Sequence, residues 1–252
     1  MKIVSIILAR GGSKEIPSKN IIDVNGKPLL YYTISASQQS DVDATWVSTD
    51  CPKIKKIAEN FNANVIDRPT NISGDYSQSE EALLHFAKNI NFDILVFIQP
   101  TSPLLKAADI NKGIKLLEDE NYSSVFSVYK QHWIPKWSLD IQPINWSINK
   151  RPMRQEVDEE YIENGAFYIT RKTSLLNSKL RYSGKKNIVI MPYYRSFQID
   201  TLDDLNLIKS VNEYIKKQLY NLPKKNIASK SLKKFGLAIY TSGKKNILEI
   251  IN

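Results

Sequence analysis

The sequence contains very little cysteine and histidine, and it has no long apolar run. Cys51 is its one cysteine, so no intramolecular disulfide can form. The two histidines, His85 and His132, are far apart and have no ligand pattern around them, which argues against a zinc site and against histidine-centred catalysis. No stretch approaches the length of a membrane-spanning helix, and the short apolar start has no signal-peptide cleavage site. We therefore expect a cytoplasmic protein without a membrane partner.

The positive charge is concentrated at the end of the chain. The formal net charge is +9, and residues 223–252 hold seven lysines against a single acid, Glu249. These lysines could engage nucleic acid or anionic lipid. We instead expect a solvated basic extension over 221–252 and no nucleic-acid partner. Residues 1–220 have the length and the ordinary composition of one globular domain.

A segment with two glycines and several cations follows the first apolar run. It reads Ala9-Arg10-Gly11-Gly12-Ser13-Lys14-Glu15-Ile16-Pro17-Ser18-Lys19-Asn20. The glycines let the backbone turn sharply and bring its N–H groups close to phosphate oxygens, while Arg10, Lys14 and Lys19 supply positive charge. Neither the P-loop pattern nor the dinucleotide-binding glycine pattern is present. The segment predicts a nucleoside triphosphate site of another kind, and the alternative is a basic surface turn between a strand and a helix.

Short apolar runs alternate with segments of helical periodicity in the first part of the chain. The runs predict strands over residues 2–9, 44–49, 63–67 and 93–98. Such alternation is typical of βαβ units and a mainly parallel sheet, in which ligands bind beyond the carboxyl ends of the strands. Arg10, Asp50, Arg68 and Gln99 each follow a predicted strand. We therefore expect them to lie around one pocket.

Further short motifs follow the glycine-containing segment in order along the chain. They are Val47-Ser48-Thr49-Asp50, Arg68-Pro69 followed by Ser73, Asp75 and Ser79, Gln99-Pro100-Thr101-Ser102-Pro103-Leu104, Asn164-Gly165-Ala166 and Ile199-Asp200-Thr201. Together with residues 9–20, these motifs resemble the CMP-sialic acid synthetase family, the cytidylyltransferases that activate nine-carbon ulosonic acids. The resemblance extends from residues 9–20, which we call the first loop, to Thr201. It does not cover the basic extension.

The resemblance implies a three-layer α/β fold with a doubly wound, mainly parallel sheet, like that of nucleotide-diphospho-sugar transferases. It implies transfer of CMP from CTP to the anomeric hydroxyl of a sialic-acid-like ulosonic acid, with release of pyrophosphate. The CMP-sugar would serve surface glycan synthesis, as in lipopolysaccharide or capsule. N-acetylneuraminic, legionaminic, pseudaminic and amino-octulosonic acids all remain candidate acceptors. The alternative is a glycosyltransferase that uses a nucleotide-sugar donor, but its usual Asp-x-Asp metal motif is replaced here by Ser48-Thr49-Asp50.

The resemblance assigns two sets of residues to the nucleotide. The residues assigned to the phosphates and the ribose are Arg10, Gly11, Ser13, Lys14, Lys19 and Asn20. The residues assigned to the cytosine are Arg68 and Ser79. Arg10 and Lys19 are also catalytic candidates, because cations stabilise the charge that develops on reacting phosphates. Glu15 stands where the family usually has glycine, and we expect this acid to point away from the triphosphate.

Asp200 is the third catalytic candidate and the expected ligand of Mg²⁺ or another divalent cation. A carboxylate is the hard oxygen donor that magnesium prefers. The family usually has a second aspartate where this chain has Gln198. Either one carboxylate holds the metal together with phosphates and water, or Asp50 helps. The residues that follow Asp200 predict a capping box and a helix over 203–217.

The acceptor sugar is assigned to two parts of the chain. The candidates in the main body are Gln99, Asn164 and Tyr182, and those in the segment 131–163 are Lys136 and Arg154. This segment carries three of the four tryptophans and has no clear helical period. The resemblance implies that it is a dimerisation arm inserted into the domain 1–220 and that the protein is a homodimer with composite active sites. Whether the arm serves its own subunit or the partner stays open here.

Overall fold

A computed structural model describes residues 1–119 and 122–220, so the predicted extension over 221–252 lies outside the described residues. The strands are β1 (Ile3–Leu8), β2 (Asp23–Val24), β3 (Lys27–Pro28), β4 (Ala44–Thr49), β5 (Asn64–Asp67), β6 (Ile94–Ile98), β7 (Ser124–Gln131), β8 (Glu160–Arg171) and β9 (Lys186–Met191). The helices are α1 (Leu29–Gln38), α2 (Pro52–Asn60), α3 (Ser79–Asn89), α4 (Ala107–Glu118), α5 (Lys172–Ser178) and α6 (Leu202–Tyr220). The four predicted strands are confirmed as β1, β4, β5 and β6.

Seven of the strands form one sheet in the order β5-β4-β1-β6-β8-β7-β9. The neighbours β5, β4, β1 and β6 are parallel to one another, and β9 is parallel to β7. Strand β8 runs antiparallel to both of its neighbours, β6 and β7. The prediction of a mainly parallel sheet is confirmed, with β8 as a reversed strand between two parallel groups.

Both faces of the sheet are covered by helices, as the residues of β1 illustrate. Ile3 and Ile7 pack in a core with residues of α1, α2 and α4. Val4 and Ile6 point to the other face and pack with residues of α3 and α5. A strand that is apolar at successive positions needs such a cover on each side. The predicted three-layer α/β architecture is therefore confirmed.

Helix α6 starts at the predicted capping box and joins a third, smaller core. The Asp204 N–H donates to Thr201 Oγ1 at 3.2 Å, and the Thr201 N–H donates to Asp204 Oδ2 at 2.8 Å. These reciprocal bonds satisfy free N–H groups at the start of the helix. Leu205 of α6 then packs with Ile199 and with Ile16 of the first loop. This core holds the residues just before α6 beside the glycine-containing segment.

The predicted arm is an irregular connection between β7 and β8. Over residues 132–159 it contains isolated bridges and a short 3₁₀ turn at Arg154–Glu156. The rings of Trp137 and Trp146 meet edge to face with centroids 4.9 Å apart, and the Arg151 guanidinium lies over Trp146. Several large apolar side chains of this segment are exposed, namely Ile134, Leu139, Ile141, Ile144, Ile148 and Met153. Its role in dimerisation stays a prediction.

None of the helices in residues 1–119 and 122–220 is both long enough and apolar enough to cross a bilayer.

Candidate active site

A pocket of about 590 Å³ opens at the edge of the sheet where the parallel strands end. Its wall includes Arg10 after β1, Arg68 after β5 and Gln99 after β6. These residues converge because the carboxyl ends of neighbouring parallel strands lie at the same edge. The other predicted site residues in the wall are Ser13, Lys14, Lys19, Asn20, Ser79 and Asp200. Apart from Gly11, the structure thus brings the residues predicted for phosphate, base and metal into one place.

Gly11 lies outside the pocket wall and supports the first loop from behind. Its N–H donates to Asp50 Oδ1 at 2.9 Å, so this N–H is already used within the protein. A Cβ at Gly11 would lie 2.9 Å from the Cβ of Cys51, which is closer than side-chain atoms pack. The glycine is therefore needed for close approach of the loop to the start of α2. The structure gives Gly11 a packing role and does not bring it to the predicted phosphate site.

Asn20 ties the end of the first loop to its beginning. Its side chain is buried, and Nδ2 donates to the Arg10 carbonyl at 2.9 Å. This bond fixes the backbone that carries Arg10. Between these two residues, Lys14 and Glu15 both border the pocket. The loop runs along the pocket wall at this point, and the direction of the Glu15 side chain relative to a bound triphosphate stays a prediction.

The cations of the first loop are paired with carboxylates. Arg10 Nη2 lies 3.0 Å from Asp75 Oδ1, and Lys14 Nζ lies 2.9 Å from Asp75 Oδ2. Lys19 Nζ lies 2.9 Å from Asp200 Oδ1. The hydrogen bond from Lys14, followed by that from Arg10, holds the pKa of Asp75 below its usual value. In the described part of the chain, four cations and three carboxylates border the pocket: Arg10, Lys14, Lys19 and Arg68 against Glu15, Asp75 and Asp200.

Arg68 is buried and is held by a serine of the neighbouring strand. Its Nε donates to Ser48 Oγ at 3.0 Å, and its Nη2 donates to the Ser48 carbonyl at 2.8 Å. Burial lowers the pKa of Arg68 to about 10, so the side chain remains cationic at neutral pH. Among the described residues, no carboxylate forms an ion pair with it. The planar guanidinium is thus fixed with N–H groups left for a base carbonyl or a phosphate oxygen.

Gln99 and Gln198 lie close to Gly165 of β8. Gly165 has a φ of +67°, and a Cβ there would lie 2.4 Å from Gln198 Nε2 and 3.4 Å from Gln99 Nε2. Gln198 Oε1 accepts from Thr101 Oγ1 at 2.9 Å, and Nε2 donates to the Asn164 carbonyl. The Gln198 amide therefore bonds within the protein and lies outside the pocket wall. The side-chain amide of Gln99 belongs to a residue of the wall, and no described residue forms a hydrogen bond with it. This amide is therefore available to a ligand.

Two of the three acceptor residues predicted in the main body, Asn164 and Tyr182, do not border the pocket. Asn164 is buried; its Nδ2 donates to Ser196 Oγ at 2.9 Å, and its Oδ1 accepts from the Ala166 N–H at 3.2 Å. These bonds use the side chain to stabilise the irregular part of β8. Tyr182 packs in an aromatic group, with its ring centroid 5.9 Å from that of Tyr168. The structure therefore does not bring these two side chains together with Gln99.

A bidentate ion pair that was not anticipated lies beside the aromatic part of the wall. Arg181 donates to both carboxylate oxygens of Glu80, at 2.6 and 2.9 Å. Its guanidinium also lies 5.5 Å from the ring centroid of Phe97, which borders the pocket. The hydrogen bond from Arg181 lowers the pKa of Glu80. The pair fixes the start of α3 against the wall, and no sequence motif links its two members.

The predicted acceptor residues of the arm lie apart from the pocket of their own subunit. Lys136 and Arg154 are both exposed, and neither borders the pocket. The Lys136 N–H donates to Asn145 Oδ1 at 2.9 Å, which fixes its backbone but leaves its side chain free to bind another group. Within the described part of the chain, neither side chain forms an ion pair.

Asp200 is the carboxylate that best suits a divalent cation. Its side chain is 61% exposed and lies in the wall beside Lys19. The described residues contain no cluster of three or more His, Cys, Asp or Glu side chains that could hold a metal alone. One carboxylate fits Mg²⁺ that is held mainly by substrate phosphates and water. Asp50 is less suitable because its Oδ1 accepts from Gly11 and it does not border the pocket.

A comparison with protein families agrees with this geometry. The model of the cytidylyltransferase family matches residues 4–235. The chain belongs to the cytidylyltransferase family. It is 39% identical over 181 residues to an N-acylneuraminate cytidylyltransferase of Oncorhynchus mykiss, covering 68% of this chain and 42% of that protein. It is 30% identical over 231 residues to an N-acylneuraminate cytidylyltransferase of Escherichia coli, covering 88% of this chain and 54% of that protein. The chain therefore spans about half the length of these relatives.

Solved structures of cytidylyltransferases share the fold. The synthetase of CMP:2-keto-3-deoxy-manno-octonic acid, solved in complex with CTP, has a TM-score of 0.65 at 19% identity, covering 85% of this chain and all of that chain. A cytidylyltransferase of Leptospira borgpetersenii has a TM-score of 0.59 at 18% identity, covering 95% of this chain and 99% of that chain. At these identities the likeness establishes the fold alone.

Proposed function

We propose that the protein transfers CMP from CTP to the anomeric hydroxyl of a sialic-acid-like ulosonic acid and releases pyrophosphate. The observation that supports this most is the convergence of Arg10, Lys14 and Lys19 with the buried Arg68 around one pocket. Family membership and the names of the relatives support the same reaction. The product would be a CMP-sugar made in the cytoplasm for surface glycans.

The first loop and Arg68 would hold the nucleotide. We assign Arg10, Ser13, Lys14 and Lys19 to the triphosphate, because they border the pocket and carry donors that suit phosphate oxygens. Asn20 would hold the loop in shape through the Arg10 carbonyl and would contact the ribose. At the cytosine, the Ser48 contacts hold the Arg68 guanidinium in one plane, and Ser79 lies in the same wall. The nucleotide would thus be held at both of its ends.

The reaction requires charge to be stabilised on the phosphates. The anomeric oxygen forms a bond to the α-phosphorus and loses its proton, while the bond from that phosphorus to the pyrophosphate oxygen breaks. Negative charge increases on the leaving oxygen and on the oxygens around the phosphorus. We assign Arg10 and Lys19 to these oxygens, because fixed cations interact more strongly with the charge of the transition state than with the charge of the ground state.

We propose Asp200 as the protein ligand of Mg²⁺. A metal held there would offset phosphate charge and would lower the pKa of the attacking hydroxyl. Asp200 accepts a hydrogen bond from Lys19, which orients the carboxylate at the pocket and keeps a cation beside it. Gln198, which bonds to Thr101 and the Asn164 carbonyl, would act as a support for Gln99 and not as a ligand.

The acceptor would be bound by Gln99 and by cations of a second subunit. The side-chain amide of Gln99 lies in the pocket wall and has no hydrogen-bond partner among the described residues. The four cations of the wall are assigned to the nucleotide, Arg68 to its base and the other three to its phosphates, so the acceptor carboxylate needs a further partner. We propose that Arg154 and Lys136 of the partner's arm supply it, in a homodimer with composite sites. The exposed apolar side chains over 132–159 support burial of this segment in an interface.

Release of pyrophosphate tests the proposed function directly. The full chain would be supplied with CTP, Mg²⁺ and each of the four candidate acceptors: N-acetylneuraminic, legionaminic, pseudaminic and amino-octulosonic acid. We expect pyrophosphate and a CMP-sugar with at least one acid, and neither product without an acid or with UTP in place of CTP. Absence of release with every acid, or transfer from a preformed nucleotide sugar in its place, would contradict the proposal. The acid with the highest kcat/KM would identify the sugar.

A further inference from the structure

Asp75 connects the two cations at the start of the first loop. Its Oδ1 lies 3.0 Å from Arg10 Nη2, and its Oδ2 lies 2.9 Å from Lys14 Nζ. A carboxylate shared by two cations makes the same kind of charge-assisted hydrogen bonds that a phosphate group makes. Both cations border the pocket, as does Asp75. Asp75 therefore uses the donors that a triphosphate would need.

The chain around Asp75 forms a small surface turn, residues 73–77, which we call the tip turn. The Gly74 N–H donates to Ser77 Oγ at 3.1 Å, and the Ser77 N–H donates to the Gly74 carbonyl at 3.2 Å. These bonds close the turn on itself, with Asp75 and Tyr76 at its tip. Tyr76 is 96% exposed, so the tip can move without loss of a buried apolar contact.

Among the residues that the structure describes, the tip turn is attached to the first loop only through Arg10 and Lys14. Besides the ion pairs, Arg10 Nη1 donates to the Ser73 carbonyl at 3.5 Å, and Lys14 Nζ lies 5.9 Å from the ring centroid of Tyr76. In residues 1–119 and 122–220, the bonds and ring contacts between turn and loop all involve Arg10 or Lys14. A ligand that binds the side chains of Arg10 and Lys14 therefore breaks all of these contacts between the tip turn and the first loop.

The ion pairs of Asp75 are weak enough to be exchanged. The side chains of Arg10, Lys14 and Asp75 are 30%, 69% and 38% exposed, so water screens their attraction. A triphosphate carries several negative charges and can bond to both cations at once. If Asp75 stayed in place, its charge would repel the same phosphates.

We propose that Asp75 competes with the triphosphate: the nucleotide binds by taking Arg10 and Lys14 from Asp75, and the tip turn then separates from the first loop. The inference rests on the proposed function, because it assumes a nucleoside triphosphate as ligand. Asp75 would thereby lower the affinity for the nucleotide and leave the loop cations paired when no nucleotide is bound.

Binding of CTP without metal or turnover tests the competition. The dissociation constants of CTP and of inorganic tripolyphosphate would be measured by calorimetry in EDTA for the wild type and for Asp75→Asn. We expect the variant to bind both about threefold to tenfold more tightly, since two exposed ion pairs no longer have to be broken. Unchanged or weaker binding by the variant would mean that Asp75 positions the cations for the phosphates, and it would overturn the inference.

Glu15→Gln is the matched control. Glu15 borders the same pocket but forms no ion pair within the described part of the chain. Its neutralisation changes the charge of the pocket by the same amount without releasing Arg10 or Lys14. We expect less than a twofold gain in affinity. A gain in affinity equal to that of Asp75→Asn would mean that the net charge of the pocket alone causes the gain. That result would contradict a specific competition by Asp75.

Hydrogen exchange gives a second measurement that needs no variant. CTP should increase amide exchange of Gly74 and Ser77 in the wild type, because a turn that is no longer attached to the first loop opens its own two hydrogen bonds more often; protection would contradict the inference. Failure of the proposed function is distinguishable from failure of this inference. If the protein releases pyrophosphate but Asp75→Asn binds CTP no more tightly, only the inference is wrong. If tripolyphosphate binds more tightly to Asp75→Asn than to the wild type but no acid supports turnover, only the proposed function is wrong.

Discussion

Lys19 Nζ lies 2.9 Å from Asp200 Oδ1, although 181 positions separate these two residues in the chain. The shared core of Ile16, Ile199 and Leu205 explains the contact, because it packs the first loop against the approach to α6. The side chain of Lys19 is 19% exposed, whereas that of Asp200 is 61% exposed. The lysine is therefore enclosed and oriented, while the carboxylate keeps a face open to the pocket.

We expect Lys19→Gln to impair use of CTP much more than it impairs stability. The variant removes an enclosed cation from the phosphate site, and we expect kcat/KM for CTP to fall by about 100-fold, in the range for charged groups that stabilise a transition state. Lys55→Gln is the control, because Lys55 forms a pair of the same kind with Asp67 at 2.8 Å but lies outside the pocket wall. Steady-state pyrophosphate release and thermal melting would measure both variants. Equal losses of kcat/KM in the two variants would mean that Lys19 does not act at the phosphate site.

Adjacent glycines of the first loop offer a test of loop placement. A Cβ at Gly11 would lie 2.9 Å from the Cβ of Cys51, whereas a Cβ at Gly12 would meet no atom within 4 Å. We expect Gly11→Ala to push the loop away from α2 and to cost about 1–3 kcal/mol of stability, with a higher KM for CTP. Gly12→Ala should match the wild type in urea denaturation and in KM. A reversed order of the two variants would contradict the packing role of Gly11.

The first half of the sheet could be predicted from the sequence, and the second half could not. β1, β4, β5 and β6 are short apolar runs that end at polar motifs, so both their bounds and their shared edge follow from local pattern. β8 is different, because it is the reversed strand between β6 and β7. Its irregular part around Gly165 depends on Ser127, whose Oγ accepts from the Phe167 N–H at 3.0 Å. Pairing of this kind is decided by contacts between distant residues.

The same distinction applies to the site. Residues that follow predicted strands, such as Arg10, Arg68 and Gln99, could be placed at the pocket because the fold fixes the strand ends. The partners of their charges could not be placed. The pairs Arg10–Asp75 and Glu80–Arg181 join residues that are distant in the chain, and spacing in the sequence carries no information on such contacts. Charge pairing within the pocket therefore became visible only in the structure.

The ion pair of Glu80 and Arg181 predicts a dependence of stability on pH. The hydrogen bond from Arg181 lowers the pKa of Glu80 in the folded state. Its stabilisation is therefore complete above the unfolded pKa of about 4.3 and is lost as the pH falls through the lower folded pKa. We expect Glu80→Gln to reduce the free energy of unfolding by about 1–3 kcal/mol near neutral pH, because Arg181 loses its charged partner.

Urea denaturation at a series of pH values would measure this effect. The difference between wild type and Glu80→Gln should shrink as the pH falls below the unfolded pKa of a glutamate, about 4.3. Glu118→Gln serves as control, because Glu118 is exposed on α4 and forms no ion pair among the described residues. A difference that stays constant down to low pH would mean that the carboxylate charge of Glu80 is not what stabilises the fold.

The arm predicts complementation between two inactive variants. Arg154 and Lys136 do not border the pocket of their own subunit, and Leu139 of the same segment is 99% exposed. If the partner's arm completes each site, Arg154→Ala should raise the KM for the acid sugar far more than that for CTP. Removing the partner of a buried carboxylate costs about 2–5 kcal/mol, which corresponds to a loss of roughly 30-fold or more.

Mixing Arg154→Ala with Lys19→Gln is the decisive form of this test. In a mixed dimer, one site collects both defects and the other collects neither, so half of its sites are intact. After subunit exchange at equal amounts, half of the dimers are mixed, and activity should return to about a quarter of the wild-type value. Light scattering would establish that both variants are dimers, and co-purification of untagged Arg154→Ala with affinity-tagged Lys19→Gln would establish that subunits exchange. A mixture of two such dimers that exchanges subunits yet stays inactive would assign the arm to its own subunit.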